Sequence, residues 1–217
     1  MLRVYFSDVG ALDEKEKYRT WYSSLTEERK AKTDRLRFDK DKKLSVGAGA
    51  LLSNALEDVG FDMTGKMTVT DAFGKPHFGD DSIFFNISHS EKKVMCAVSD
   101  LPVGCDVEYV GKYKDDLAKR YLHEKEYADL CALETEEEKR QMFYEIWTRK
   151  ESFVKAVGLG LRIPFDSFSI SFDSSLPVEQ TACDTLFFTN TFRLDENYKF
   201  SVASPYMTVD EIKKIDL

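Results

Sequence analysis

Signals for metal clusters, membranes and secretion are scarce in this sequence. Its four cysteines form no C-x-x-C pair, and none has a histidine at ligand spacing, so a zinc site is not expected. The longest run of apolar residues and glycine, residues 46–52, is far too short to cross a bilayer. Residues 1–10 lack the basic and apolar segments of a signal peptide. We therefore expect a cytoplasmic protein that does not associate with membranes.

Negative charge exceeds positive charge, with 39 Asp and Glu against 31 Lys and Arg. The net charge of −8 disfavours general binding to nucleic acid. Residues 29–43 are the exception, because they hold eight Lys or Arg against three Asp. Such a stretch can hold phosphate groups or an acidic partner, but most charge runs are solvated helix faces. Both interpretations stay open at this point.

The chain is long enough for one large domain or for two small ones that share a core, with 217 residues of which 42% are hydrophobic. Apolar residues recur at three- and four-residue spacing across residues 41–59, which predicts a helix that ends at Gly60. Three tightly connected strands are predicted next, at residues 83–88, 94–99 and 103–110. The first half of the chain thus places helices before an antiparallel meander.

The second half repeats this order loosely. Residues 207–217 fit either a short helix or an irregular tail. Helices followed by strands, twice, predict an α+β fold, a pseudo-dimer of two similar halves at residues 1–110 and 111–217. Each half would pack helices on a small antiparallel sheet, with a ligand cleft between the halves. In the second half, helices are predicted at residues 114–122, 124–133 and 136–157, and strands at residues 167–172, 186–194 and 199–203.

Two carboxylates lie close together on the last strand of the meander. Asp106 and Glu108 flank Val107, and side chains two apart on a strand point the same way. Two like charges repel at this distance unless a proton or a cation separates them. Mg²⁺ suits such a pair, because it prefers oxygen ligands and commonly takes one or two carboxylates together with substrate phosphates. A single D-x-E is nevertheless common, and most lie at solvated edges.

A second candidate group lies on the helix predicted at residues 136–157. Trp147, Glu151 and Lys155 are four residues apart and therefore share one face of the helix. Glu151 falls at the edge of the apolar side, where a carboxylate needs a partner. Either Glu151 forms an ordinary pair with Lys155, or it binds a metal or acts as a base. In the second case, Lys150 and Lys155 would bind phosphate.

Hydroxyl and imidazole groups stand at the end of the strand predicted at residues 83–88. The sequence Phe85-Asn-Ile-Ser-His-Ser90 places Ser88 and His89 where a strand enters a tight turn. These side chains can bind phosphate oxygens, although Asn and Ser are also common turn residues. His89 has no carboxylate or cysteine partner nearby in sequence, so a hydrolase triad has little support.

Together, the order and spacing of these motifs resemble the 4′-phosphopantetheinyl transferases of the larger, surfactin-synthetase-activating (Sfp-like) type. The resemblance covers residues 29–172, and its most specific part is the tryptophan-to-lysine motif. One departure is Leu44, where family members often carry an arginine, and it affects the affinity expected for the nucleotide end of coenzyme A (CoA) rather than the chemistry. The matching segments are Gly74-Lys-Pro76, Phe85-Asn-Ile-Ser-His-Ser90, Val103-Gly-Cys-Asp-Val-Glu108, Trp147-Thr-Arg-Lys-Glu-Ser-Phe-Val-Lys155, Ile163-Pro-Phe-Asp-Ser-Phe-Ser169, and Arg37-Phe38 with Asp41 and Ser45.

The resemblance implies a reaction and a set of site residues. The protein would transfer the 4′-phosphopantetheine group from CoA, its co-substrate, to a serine hydroxyl of an apo acyl or peptidyl carrier protein, and would release 3′,5′-ADP. Mg²⁺, or Mn²⁺ in its place, would be bound by Asp106, Glu108 and Glu151. The catalytic residues would be Glu151, Lys155 and Asp106. CoA would be bound by Lys75, Pro76, Ser88, His89, Arg37, Lys43, Lys150 and Lys155.

The same resemblance implies a fold and an assembly. The fold would be a pseudo-dimer of two α+β halves with the active site at their junction. The length fits the larger type, expected as a monomer, rather than the half-length type that works as a trimer. The carrier could belong to fatty-acid, polyketide or nonribosomal-peptide synthesis. The alternative function is that of a catalytically inactive module that binds CoA or a carrier protein, because a fold can persist after its catalytic activity is lost.

Overall fold

Two β-sheets face each other between two groups of helices in the computed structural model, which describes residues 1–63, 66, 68–71, 73–80 and 82–217. The strands are β1 (Leu2–Asp8), β2 (Thr68–Thr70), β3 (Pro76–Phe78), β4 (Phe84–Ser90), β5 (Lys93–Ser99), β6 (Gly104–Tyr109), β7 (Phe188–Phe192), β8 (Tyr198–Ser204) and β9 (Glu211–Lys214). The α-helices are α1 (Lys15–Ser24), α2 (Glu27–Asp34), α3 (Asp39–Asp58), α4 (Asp115–Tyr121), α5 (Glu124–Cys131) and α6 (Glu136–Val157).

The first sheet has the strand order β4-β5-β1-β9, and helix α3 covers one of its faces, with α1 and α2 packed on α3. Leu51 and Leu56 of α3 are fully buried and belong to one apolar cluster with Val94 and Cys96 of β5. Alternation along β5 sends these two side chains to the helix side of the sheet. The helix predicted at residues 41–59 is therefore confirmed, and its apolar stripe forms the core of this half.

The second sheet has the strand order β6-β8-β7 and is antiparallel throughout. Cys105, Val107 and Phe200 face the first sheet and pack there with Val4 and Met95. The opposite face of the second sheet carries α6. The two helix-and-sheet layers therefore share a continuous apolar core between the sheets.

Helix α6 is 22 residues long and is capped at both ends by adjacent residues. At the start, the Thr135 hydroxyl accepts a bond from the Glu138 N–H, and the Glu138 carboxylate accepts one from the Thr135 N–H. At the end, Gly158 adopts a left-handed conformation with φ of 80°. The helix predicted at residues 136–157 is thus confirmed. Its buried face, which includes Phe153, holds it against β6 and β8.

Strand pairing does not follow the predicted division of the chain at residue 110. Strand β6 lies before that point but pairs with β8, and β9 returns to pair in parallel with β1. The first sheet is therefore mixed rather than purely antiparallel. The α+β fold is confirmed, whereas the boundaries of the two halves, residues 1–110 and 111–217, stay a prediction.

Two segments near the end of the chain differ from their predictions. The strand predicted at residues 167–172 is instead a 3₁₀ turn, Phe165–Ser167, followed by a single bridge between Ser169 and Glu179. Residues 207–217 are neither a helix nor wholly irregular, since they contain β9. Among the residues that the structure describes, no helix is both long and apolar enough to cross a membrane.

Gly104 lies where β6 touches α6. A methyl carbon at this position would lie 2.1 Å from the Ser152 carbonyl oxygen, 2.3 Å from the Ala156 nitrogen and 2.8 Å from the Lys155 carbonyl carbon. These are backbone atoms, which cannot turn aside as the end of a side chain can. A glycine within an apolar strand is the sequence signal of such a close approach. The helix and the strand can therefore meet only because residue 104 has no side chain.

Gly104→Ala is expected to lower the free energy of unfolding by at least about 2 kcal/mol, because α6 has to move away from β6. Gly79→Ala is the matched control, since a methyl carbon there would meet only the Val69 methyl groups, at 3.9 Å. Urea unfolding followed by circular dichroism measures both variants. Equal stability of the two variants would contradict a rigid contact between α6 and β6.

Candidate active site

Strands β4 and β6 lie side by side at the junction of the two sheets and are joined through side chains. Asn86, Ser88 and Ser90 alternate along β4 and all reach toward β6. The Ser88 hydroxyl donates to Asp106 Oδ1 at 2.8 Å, and the Ser90 hydroxyl donates to Glu108 Oε2 at 2.8 Å. Asn86 Oδ1 accepts a hydrogen bond from the backbone N–H of Cys105, the residue before Asp106, at 2.9 Å. Both carboxylates of the D-x-E motif are therefore held from the neighbouring sheet.

Lys155 reaches the same junction from α6. Its Nζ lies 2.6 Å from Asp106 Oδ1 and 3.2 Å from the Ser88 Oγ. Among the described residues its ion pair is with Asp106 rather than with Glu151, so the ordinary i,i+4 pair is not what forms. Burial disfavours the ammonium ion, but the Asp106 carboxylate outweighs this and raises the pKa of Lys155. A fixed positive charge therefore stands beside Asp106.

Glu108 and Glu151 both have raised pKa values. Burial raises the pKa of Glu108 to about 7, and the charge of Asp106 adds to the rise, while the bond from Ser90 opposes it. Burial also raises the pKa of Glu151, a rise that Lys155 opposes and Asp106 reinforces. The three acidic groups are thus close enough to repel one another. A bound cation would relieve that repulsion.

One oxygen of this group is unsatisfied. Asp106 is only 2% exposed, and its Oδ2 is buried without a hydrogen-bond partner among the residues that the structure describes. Such an oxygen is a donor available to a hard cation. Within the described ranges, no group of three or more His, Cys, Asp or Glu side chains is arranged so that it could hold a metal ion. The donors fit a cation that takes few protein oxygens and completes its shell with phosphate and water, as Mg²⁺ does.

Cations from both halves of the chain lie around His89. The pKa of His89 is lowered, chiefly by the burial of part of the ring although the residue is exposed at the surface, and further by the charges of Lys155, Arg29 and Lys32. Arg29 and Lys32 are three residues apart on α2 and therefore share a face. The sequence indicated residues 29–43 as a basic stretch but did not single out these two side chains. Their positive charges act on the His89 ring together with that of Lys155.

Three other residues predicted to bind CoA lie at the surface of the first half. Arg37 is exposed, and its guanidinium lies 5.4 Å from the ring centre of the exposed Phe38. Lys43 forms an ion pair with Asp13. Pro76 begins β3 and is exposed. Contact between these three residues and CoA stays a prediction.

Lys150 lies away from this junction, and its predicted contact with a phosphate of CoA stays a prediction that would require the side chain to leave its present partners. Its side chain is fully buried and forms an ion pair with Glu126 of α5 at 2.9 Å. The ammonium also donates to the backbone carbonyls of Phe165 and Phe168, at 2.7 and 2.6 Å. All three of its donors are therefore used inside the second half. These partners are distant along the chain, so helical spacing could not indicate them.

Lys75 is turned inward as well. Its Nζ donates to the backbone carbonyls of Val103, Lys155 and Ala156. The predicted contact with a phosphate of CoA would require the ammonium to leave these three carbonyls.

Several of the predicted site residues lie together at the junction of the two sheets. The structure also shows a role for Ser90 that the sequence analysis did not predict. Ser90 was within the quoted strand motif, yet its role in holding Glu108 was not predicted. Alternation from Ser88 is the signal that could have indicated it, because residues two apart on a strand share a face. The predicted residues gathered around the junction are Asp106, Glu108, Glu151, Lys155, Ser88 and His89.

Comparison with known proteins agrees with this geometry. Residues 102–204 match the family model of the 4′-phosphopantetheinyl transferase superfamily. A 4′-phosphopantetheinyl transferase of Bacillus subtilis is 34% identical over 164 residues, which make up 74% of this chain and 73% of that protein. The 4′-phosphopantetheinyl transferase Sfp of Bacillus subtilis strain 168 is 36% identical over 140 residues, or 63% of this chain and 62% of its own length.

Two further similarities are more limited. The 4′-phosphopantetheinyl transferase gsp of Aneurinibacillus migulanus is 44% identical over 98 residues, or 45% of this chain and 40% of its own length. The match to gsp and the match to Sfp each cover less than two thirds of the relative. A solved holo-[acyl-carrier-protein] synthase of Thermotoga maritima has a TM-score of 0.36 and 19% identity over 48% of this chain and 61% of that chain, which is too weak to carry an argument. On the first relative and the family model, the chain belongs to the 4′-phosphopantetheinyl transferase superfamily.

Proposed function

We propose that this protein transfers the 4′-phosphopantetheine group of CoA to a serine hydroxyl of an apo acyl or peptidyl carrier protein, with Mg²⁺ or Mn²⁺ bound, and releases 3′,5′-ADP. The observation that carries the proposal is the Asp106 group, in which one carboxylate oxygen binds Lys155 and Ser88 while the other is buried and unsatisfied. Glu108 and Glu151 add further oxygens beside it. This is a donor set for a cation that is shared with a diphosphate.

The side chains have distinct roles in this reaction. The serine oxygen forms a bond to the β-phosphorus of CoA, the bond from that phosphorus to 3′,5′-ADP breaks, and the serine proton passes to Glu151. Burial raises the pKa of Glu151, which makes its carboxylate a stronger base than an exposed one. Lys155, fixed by Asp106, neutralises charge on the departing phosphate. His89 and the cations around it bind the remaining phosphate of the nucleotide.

A divalent cation held by Asp106, Glu108 and Glu151 would supply charge neutralisation to the diphosphate when bound. The support for these ligands is the unsatisfied Asp106 Oδ2 and the mutual repulsion of the three carboxylates. A cytoplasmic location is part of the same proposal. Its support is that all four cysteines are free thiols, as is usual in a reducing compartment. A monomeric state stays a prediction.

Intact-mass spectrometry of an apo carrier protein tests the proposal. The carrier is incubated with this protein, CoA and MgCl₂, and in parallel with EDTA in place of the metal. We expect the carrier to gain the mass of one phosphopantetheine group only when the metal is present. An absence of mass gain with several unrelated carriers, despite binding of CoA, would contradict the transferase and favour the inactive binding module.

A further inference from the structure

Lys75 connects the two structural elements that carry the acidic residues and Lys155. Its Nζ donates to the carbonyl oxygens of Lys155 at 2.7 Å, Val103 at 3.1 Å and Ala156 at 3.3 Å. An ammonium group has three N–H donors and no acceptor, so these three bonds use its whole capacity. Its own backbone is fixed too, because the Lys75 N–H donates to Asp71 Oδ1 at 2.9 Å.

Two of the three carbonyls need a partner from outside the helix. Lys155 and Ala156 lie in the last turn of α6, where carbonyl oxygens have no intrahelical N–H to accept from. The N–H of Gly158 goes to the Val154 oxygen and leaves these two unsatisfied. A positive charge at the C-terminal end of a helix is also favourable for the helix dipole. Lys75 therefore caps α6 from the other half of the chain.

The third carbonyl belongs to the strand side of the contact. Val103 immediately precedes β6, the strand that carries Asp106. Gly104, the next residue, is where β6 touches the backbone of α6. Lys75 thus bonds to the helix and to the strand at the point where they meet. Asp106, whose Oδ1 lies 2.6 Å from Lys155 Nζ, is two residues after Gly104 along β6.

We propose that Lys75 is a positioning residue of the transfer reaction, a role that rests on the proposed function. Lys75 holds the end of α6 against the start of β6 and so fixes the positions of Lys155 and Glu151 relative to Asp106. Lys75 contacts no reacting atom in this role. Binding a phosphate instead would leave three carbonyls without their donor in a half-buried place, and such unmade bonds are costly. Burial also lowers the pKa of Lys75 to about 8, partly opposed by Asp71, as expected for an enclosed ammonium group.

Steady-state kinetics of Lys75→Met and Lys75→Arg test this role. We expect kcat to fall by about 10- to 100-fold in Lys75→Met, because a small misplacement of reacting groups is costly, while KM for CoA stays within about threefold. The kcat of Lys75→Arg should fall by a similar factor, since a planar guanidinium cannot direct three N–H donors at the three carbonyl oxygens as an ammonium group does. Lys17→Met, in an exposed pair with Glu14 on α1, is the matched control and should leave both parameters unchanged.

Hydrogen–deuterium exchange supplies a second readout that does not need turnover. In Lys75→Met we expect faster exchange at the last turn of α6 and the start of β6 and unchanged exchange in α3. A raised KM for CoA that Lys75→Arg restores, with kcat unchanged, would overturn the proposal and make Lys75 a phosphate ligand. A lower melting temperature with unchanged kcat and KM would overturn it in favour of packing alone. If the wild type transfers no phosphopantetheine, the proposed function fails. Independently of that result, unchanged hydrogen–deuterium exchange at α6 and β6 in Lys75→Met would overturn the positioning role.

Discussion

Asp106→Asn is expected to lower kcat/KM for phosphopantetheine transfer by at least about 100-fold, the scale found when one preorganised electrostatic group is removed from a site. Asparagine has nearly the same shape but no charge. In Asp106, one carboxylate oxygen contacts Lys155 and Ser88, and the other is available to a cation. The variant loses the ion pair with Lys155 and keeps only one side-chain oxygen. Initial rates of carrier modification at saturating Mg²⁺ measure the effect.

The effect of the Asp106 charge can also be measured at the neighbouring carboxyl group. The charge of Asp106 is one cause of the raised Glu108 pKa, after burial. Asp106→Asn should therefore lower the pKa of Glu108 in the metal-free protein, which an NMR titration of the side-chain carboxyl detects. Asp216→Asn is the matched control, because Asp216 is exposed and, among the residues that the structure describes, forms its ion pair with Lys214. Full transfer activity in Asp106→Asn would contradict the assignment of the active site.

Lys150→Met is expected to lower the free energy of unfolding by about 3–5 kcal/mol, because it leaves a buried carboxylate without its partner. Glu126 is almost fully buried and accepts bonds from Lys150, from the His123 N–H and from the Ile170 N–H. The loss of Lys150 also leaves the carbonyl of Phe168 without its donor. Urea unfolding at neutral pH measures the change.

An exposed pair in the same half gives the control for this second variant. Lys125 and Glu179 lie 3.1 Å apart, but both side chains are more than 60% exposed. Lys125→Met should therefore change the free energy of unfolding by no more than about 1 kcal/mol. If Lys150→Met unfolded like the wild type and instead raised KM for CoA, the buried pair would be unimportant and the sequence-based role of Lys150 would stand.

The sequence could predict the parts of the site that depend on local periodicity. Alternation on a strand placed Asp106 and Glu108 on one face, and four-residue spacing placed Glu151 and Lys155 on one face of α6. The helix itself follows from a capping box and a C-terminal glycine that are readable in the sequence. These predictions need only neighbours within a few residues.

The remaining features depend on contacts between distant segments. The pattern around Lys150 is the same for a lysine that faces solvent and for one that caps carbonyls at residues 165 and 168. The inward turn of Lys75 depends on α6, 80 residues along the chain from it. Strand β9 is short and polar, with Glu211 and two lysines, and becomes a strand because β1 offers an unpaired edge. Periodicity holds no information about such pairings.

The pairing of strands from the two halves of the chain within one sheet has a consequence for synthesis on the ribosome. Strand β1 leaves the ribosome long before β9 is made, and β6 leaves long before β8. The nascent chain therefore carries open strand edges in both sheets until its last segments emerge, and such edges invite pairing with other chains. Splitting the gene after residue 110 would give two fragments that each lack a strand of their own sheet, so they should refold only when they are produced together.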